Sequence, residues 1–468
     1  MHSRDSDSTI NQETIRALQS EMRGHIVQPS DSEYDAARRV WNAMIDKYPA
    51  LILYCEGVGD VIHAVHFARV HQMNVTVRSG GHGVAGNAVC NNGIVIDLSR
   101  MKGILVNPEA RTVQAQAGVT WGELDHATQR YGLATPGGKV SDTGISGLTL
   151  GGGLGWLRRK FGLTSDNLIS ADIVTMDGQL RRVSAEQNAD LFWGIRGGGG
   201  SLGIVVSFEY RLHPVGPAVM FAQVFYPANV IKTALRFFRD YTSNTPDEIS
   251  AFAVLGTFAH GSHFPESLWG QTYVMLSACY AGSPEEGQRW LMPLRQIDSP
   301  ILDMSSARPY TEIQSVFDDD YPRGRLRYYW KSLFLHNLAD ELIDLLIAQA
   351  QVSPSPLSTI DIWQMGGAVA QIPANQTAFG NRNALFLLNV EANWQNNLEN
   401  KLNIDWTREL MRAAQSFSDG GMYLNFPGLF EDRNVMAQAI ENFSRLQQLK
   451  QQYDPDNLLS ATESNHIF

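Results

Sequence analysis

Between Asp60 and Met73 the apolar residues Val61, Ala64, Val65 and Ala68 recur at helical spacing, and residues 74–79 (NVTVRS) then switch to β-branched side chains. This predicts a helix that delivers the chain into a strand. Short strands follow at 94–99 (IVIDLS), 104–107 (ILVN) and 112–118 (TVQAQAG). Thr120 and Glu123 form a capping box that opens a helix running to Arg130. Residues 171–176 and 179–184 flank Asp177-Gly178, a two-residue hairpin signal, and residues 203–212 (GIVVSFEYRL) read as a further strand. From about Pro214 the pattern changes to longer, aromatic-rich strands at 220–226, 270–280, 325–335, 358–365 and 383–394, alternating with amphipathic helices such as 337–351. That pattern predicts a second, α+β unit built on a broad antiparallel sheet. From about Asp419 the chain returns to glycine, to Tyr423–Gly428 (YLNFPG), and to a last helix that stops at residues 453–457 (YDPDN).

Glycine is unevenly placed. Many of the 41 glycines fall in three bursts, Gly80 to Gly86, Gly137 to Gly155 and Gly194 to Gly203. Two segments fit GxGxxG, at 81–86 and 198–203, but neither last glycine opens a helix, so the dinucleotide fingerprint fails on context. Walker A and HExxH sequences are absent. Turning the chain is the usual work of one glycine cluster. Three clusters in one half of the chain, spaced by strand pairs, instead suggest loops whose backbone N–H groups surround a large phosphorylated cofactor.

Composition narrows the function. The formal charge is −11 and there is no Lys/Arg tract, which disfavours nucleic acid and anionic membrane surfaces as partners. With 44% apolar and 18% charged residues the chain can bury a large core. No apolar run approaches a membrane span and the start, MHSRDSDSTINQ, is polar, so a soluble cytoplasmic protein is expected. Cys55, Cys90 and Cys279 lack ligand spacing and read as buried small residues; His63, His66 and His71 read as helix surface, and no metal site is expected. His82 stands apart, because it sits between Gly81 and Gly83, where an unhindered neutral ring can approach a ligand as a nucleophile.

In order along the chain, Arg78-Ser79-Gly80-Gly81-His82, residues 135–168 (TPGGKVSDTGISGLTLGGGLGWLRRKFGLTSDNL), residues 190–200 (DLFWGIRGGGG), Tyr423-Leu424-Asn425 and Tyr453-Asp454-Pro455 together resemble the bacterial berberine-bridge-enzyme-like FAD-linked oxidases. These belong to the vanillyl-alcohol-oxidase and p-cresol-methylhydroxylase superfamily. The resemblance implies an α+β protein with a two-part FAD-binding domain of the p-cresol-methylhydroxylase type, residues 24–213 and 419–468, around an inserted substrate domain, residues 214–418. It implies that His82 bonds to the 8α methyl carbon of the flavin. A second, cysteinyl bond found in many relatives is not expected, because Val140 stands at that position. Implied FAD contacts are Arg78, Ser79, Gly80, Gly81, Gly83, Gly86, Thr143, Gly144, Gly147, Gly151, Gly152, Asn167, Gly203, Ile204 and Val205, with Tyr423 and Asn425 near the ring system. Two further departures are Ser201-Leu202, where relatives often have Asn-Phe, and Phe426, where several plant relatives have a tyrosine proposed as catalytic base.

The expected reaction takes a hydride from an alcohol or amine carbon and passes two electrons to dioxygen as hydrogen peroxide. The partners expected are therefore a small molecule and dioxygen, the donor being flat and alkaloid- or polyketide-like, with the oligomeric state open. Carbohydrate oxidation, a dehydrogenase with another acceptor, and a non-catalytic flavin binder are the alternatives. Strand periodicity in residues 327–332 puts Tyr329 and Lys331 on one face and Tyr328 and Trp330 on the other. Tyr329, Lys331, Gln364, Tyr423 and Asn425 are the catalytic candidates, Lys331 as base or as partner of the reduced flavin and Gln364 as a donor to substrate. A sheet-edge charge with core aromatics is the plainer account of that strand.

Overall fold

The computed structural model describes residues 10–418, 420–428 and 442–459; the expected boundary at Asp419 lies outside them. Strands β1 (His25–Val27), β2 (Leu51–Tyr54), β3 (Val75–Arg78) and β4 (Ile94–Asp97) form a sheet in the order β1-β2-β4-β3. The β2, β4 and β3 pairings are parallel, and the expected helix, Val58–Val70, makes the crossover from β2 to β3. These strands read as continuous apolar runs because both their faces are covered.

A second sheet takes β5 (Ile104–Asn107), β6 (Thr112–Gln116), β8 (Leu168–Val174), β9 (Leu180–Ser184) and β10 (Ile204–Arg211) in the antiparallel order β5-β6-β10-β8-β9, while β7 (Leu133–Ala134) pairs with β11 (His213–Pro214). The hairpin between β8 and β9 turns at Asp177-Gly178, where Gly178 holds the left-handed φ of +80° that such a turn needs. The capping box at Thr120 and Glu123 is formed, with Thr120 N–H donating to Glu123 Oε2 at 2.8 Å. Both sheets share one core with the closing helix, Phe443–Tyr453, through Leu446, Leu449, Leu458 and Leu459.

The third sheet is the broad one. It comprises β12 (Ala218–Pro227), β13 (Ile249–Thr257), β14 (Thr272–Tyr280), β15 (Leu302–Asp303), β16 (Ser306–Pro309), β17 (Arg327–Leu335), β18 (Thr359–Gln364) and β19 (Phe386–Trp394). All pairings are antiparallel in the order β15-β12-β14-β13-β18-β19-β17, with β16 also on β12. The central β13 gives no alternation signal in the sequence, because it is apolar on both faces and small at Ala251 and Ala253. One face of the sheet is packed by helices Ile231–Thr242, Asp340–Gln351 and Asn400–Ala414. Its other face carries Phe221, Phe225, Phe252, Tyr328, Trp330 and Trp363 against Val140, Leu154 and Trp156 of the long glycine segment. Among the described residues no helix is long and apolar enough to cross a membrane.

Candidate active site

The three glycine bursts converge on one cavity. It is lined by Gly80, Gly81 and Gly83 from the first, by Gly138, Gly144, Gly147 and Gly151 from the second, and by Gly198, Gly199, Gly200 and Gly203 from the third. Close packing of the loops explains part of this composition: a Cβ on Gly80 would lie 2.4 Å from the backbone N of Gly144. Other glycines keep the cavity open, since a Cβ on Gly83 or Gly147 would meet no protein atom within 4 Å. Where the first sheet forms the wall, the lining is apolar, with Val75, Val77, Leu98 and Leu459; where the broad sheet forms it, Tyr321, Trp330, Trp363 and Phe426 take over. Asn87 Oδ1 and Ser201 Oγ are buried without a protein partner, and both residues line the cavity.

His82 sits where these two ends meet. Its ring stacks on Trp41 with centroids 4.3 Å apart, and Trp41 in turn stacks on Tyr328 of β17 at 3.6 Å. His82 Nε2 lies 2.8 Å from Asp142 Oδ1, and Arg323 pairs with the same carboxylate while donating to Gly80 O at 2.7 Å. Burial lowers the His82 pKa, and the Asp142 hydrogen bond opposes it only in part. The imidazole is therefore neutral near physiological pH, and Asp142 leaves the Nδ1 side of the ring for chemistry.

At the broad-sheet end, Glu391 is fully buried and accepts hydrogen bonds from Tyr321 Oη at 2.7 Å and Asn389 Nδ2 at 2.7 Å. Burial first, and the nearby Asp361 carboxylate second, push the Glu391 pKa up to about 8, against the pull of Lys139. Asp361 is raised by burial as well, and Lys139 Nζ approaches it at 3.4 Å. Lys139, Tyr321 and Trp363 line the cavity, while the two carboxyl groups sit behind them.

Residues 49–184 match the model of an FAD-binding domain, and residues 422–464 match that of the berberine and berberine-like proteins. Over 441 residues, 93% of either chain, the sequence is 30% identical to an FAD-linked oxidoreductase of Dictyostelium discoideum. The chain is a berberine-bridge-enzyme-like FAD-linked oxidoreductase. The (R)-6-hydroxynicotine oxidase of Paenarthrobacter nicotinovorans is 26% identical over 93% of this chain and 95% of its own. A glucooligosaccharide oxidase of Acremonium strictum, described with a 6-S-cysteinyl, 8α-N1-histidyl FAD, has the same fold, with a TM-score of 0.83 at 20% identity over 95% of this chain and 97% of its own.

The cavity of this oxidoreductase suits FAD: loops without side chains leave room along its length, and buried oxygens at Asn87 and Ser201 lack protein partners. Of the residues expected to hold the cofactor, Ser79, Gly80, Gly81, His82, Gly83, Thr143, Gly144, Gly147, Gly151, Gly203, Val205, Tyr423 and Asn425 line it. Val140 lines it too, and none of the three cysteines does.

Five expected contacts fall outside the lining. Arg78 is engaged with Asp97 at the ends of the parallel strands, and Asn167 donates to Phe161 O and Leu163 O at 2.8 Å each. Gly86 packs on Ile45 and Gly152 on Phe379, and Ile204 belongs to the apolar core beneath the second sheet. The catalytic candidates need correction as well. Tyr329, Lys331 and Gln364 do not line the cavity, because the cavity takes the opposite parity of β17 and β18, that of Trp330 and Trp363. Tyr329 is buried under the helices and its hydroxyl accepts from Arg408 Nε at 3.0 Å. Gln364 donates to Thr242 O and Thr245 Oγ1 and accepts from Ala251 N, so its amide is fully engaged. Tyr423 reaches the cavity, yet its hydroxyl accepts from Gly153 N, Leu154 N and Asn425 Nδ2, and burial pushes its pKa up to about 12. It braces the glycine loop and is a poor proton acceptor. Asn425 shares that role, donating also to Leu148 O at 3.1 Å. The residues that sequence reasoning missed, Lys139, Asp142, Tyr321, Asp361 and Glu391, carry one signal only: Asp361 and Glu391 are isolated carboxyls in apolar strands.

Proposed function

We propose that this chain is an oxidase that carries FAD bonded once, through His82, takes a hydride from a carbon bearing a hydroxyl or amine, and returns the electrons to dioxygen as hydrogen peroxide. The observation that supports it most is His82 at the meeting point of a glycine-lined channel and an aromatic chamber backed by a buried phenol–carboxyl pair. FAD, when bound, supplies the hydride acceptor.

The protein's own groups divide the remaining work. Asp142 fixes Nε2 of His82, keeps the ring in one orientation and offsets the positive charge that attachment through the other nitrogen creates. Val140 offers no second attachment point. Tyr321 receives the donor's O–H or N–H proton at Oη as its own proton passes to Glu391. Phe426 packs edge-on to Trp330 and Tyr423 at 5.4 and 5.0 Å and keeps water from the chamber.

The test is the absorbance spectrum of purified protein before and after acid precipitation, with His82→Ala beside it, followed by a peroxide screen of alcohols and amines. Flavin that stays in the wild-type pellet and leaves with the variant's supernatant is the expected result. Flavin released from both sinks the histidyl bond, and donor-dependent dye reduction without oxygen uptake makes the protein a dehydrogenase.

A further inference from the structure

We infer that the donor carries an acidic oxygen on a flat ring, a carboxylate, phenolate or enolate, held jointly by Lys139 and Trp363. This rests on the cavity being the flavin and donor site proposed above. The Lys139 side chain is 10% exposed and lines the aromatic end of the cavity. An ammonium has three N–H donors and no acceptor. Asp361 takes one of them in a long contact of 3.4 Å. Rings stand around it: Nζ lies 4.8 Å from the centroid of Trp363, 5.0 Å from Phe252, 5.2 Å from Phe317 and 5.5 Å from Tyr321. Such rings attract a cation but do not take a hydrogen bond as an oxygen would.

Trp363 gives a second, separate observation. Its indole lines the same end of the cavity, and its Nε1–H is buried with no acceptor in the protein. An indole N–H only donates, and leaving it unpaired out of water is costly, so a ligand acceptor completes it. The carboxyl groups that interact with Lys139, namely Asp361, Glu391 and Asp320, do not line the cavity. The face shown to a donor is thus a cation and a neutral N–H. A protonated amine entering there meets a like charge with no carboxylate facing it, whereas an anionic oxygen meets two donors among ring faces that suit a planar molecule.

The experiment titrates the flavin-loaded protein with benzoate and, separately, with benzylammonium at pH 7, reading the visible flavin spectrum. Benzoate is expected to perturb the spectrum saturably and benzylammonium is not. In Lys139→Met the benzoate Kd should rise about 10- to 100-fold, the range of a hydrogen bond to a charged group. Trp363→Phe removes the N–H together with part of the ring system, and should raise the Kd at least about fivefold. Unchanged benzoate affinity in Trp363→Phe and Lys139→Met, no benzoate response at all, or preferential binding of benzylammonium overturns the inference. A protein that carries no flavin is recognised before any titration, and it overturns the cofactor reading instead.

Discussion

A neutral imidazole needs more than low pKa to react at a chosen nitrogen; something must hold the other one. Asp142 does this for His82, from the far side of the ring and 60 positions along the chain. Asp142→Asn keeps the shape but not the charge, and should slow the appearance of acid-precipitable flavin after FAD is added to flavin-free protein by about 10- to 100-fold. Wild-type kinetics in that variant would remove Asp142 from the attachment. The same variant separates orientation from protonation. Losing the carboxylate removes a cause that raises the His82 pKa, so the ring stays neutral and protonation alone predicts no slowing. Glu391 sets a different pH dependence. In the proposed proton path it must be ionised to take the Tyr321 proton, and its pKa is pushed up to about 8, so kcat/KM should rise as pH passes through about 8. Glu391→Gln should flatten that limb and lower kcat by roughly 10²- to 10⁴-fold, read from a pH–rate profile.

At the level of elements, the glycine loops do two kinds of work that a single alanine scan separates. In Gly80→Ala the new methyl would sit 2.4 Å from the Gly144 backbone, and overpacking of that kind costs about 1 to 3 kcal/mol, visible as a lowered Tm even without flavin. Gly147→Ala meets no protein atom within 4 Å and lies in the short helix Ile145–Leu150, so the flavin-free protein should melt as the wild type does. Its methyl enters the cavity instead, and flavin content after purification should fall. Equal melting and equal flavin content in the two variants would show that the loops are not divided this way. The strands show the complementary limit of pattern. Alternation separates Tyr328 and Trp330 from Tyr329 and Lys331, and the helices cover the face that carries Tyr329.

At the scale of the whole molecule, the glycine-rich part and the broad sheet are tied by buried polar links. Arg382 and Asp166, each 2% exposed as side chains, pair at 2.7 Å, and Arg158 donates to the backbone of Gln364 and Ala251 across the same boundary. Removing one partner of a buried pair strands the other, so Asp166→Ala should cost about 3 to 5 kcal/mol of stability by denaturant unfolding. A loss under 1 kcal/mol would mean the pair is dispensable. Such links also mark where sequence reading ends. The hydrophobic periods, the caps, the hairpin at Asp177-Gly178, the three glycine bursts and the glycine-flanked setting of His82 are local, because each depends on neighbours a few residues away. Those determined an α+β chain, glycine loops around a cofactor cavity and one histidine set between glycines. Which face of β17 and β18 meets that cavity depends on where the helices dock, and a period of two divides a strand without saying which half is inside. Tyr321 with Glu391 and Lys139 with Asp361 lie 70 and 222 positions apart, so only strand order and loop convergence bring them together. The tertiary structure decided the setting of the proposed proton path for that reason: it rests on contacts between groups whose separation along the chain carries no information about their separation in space.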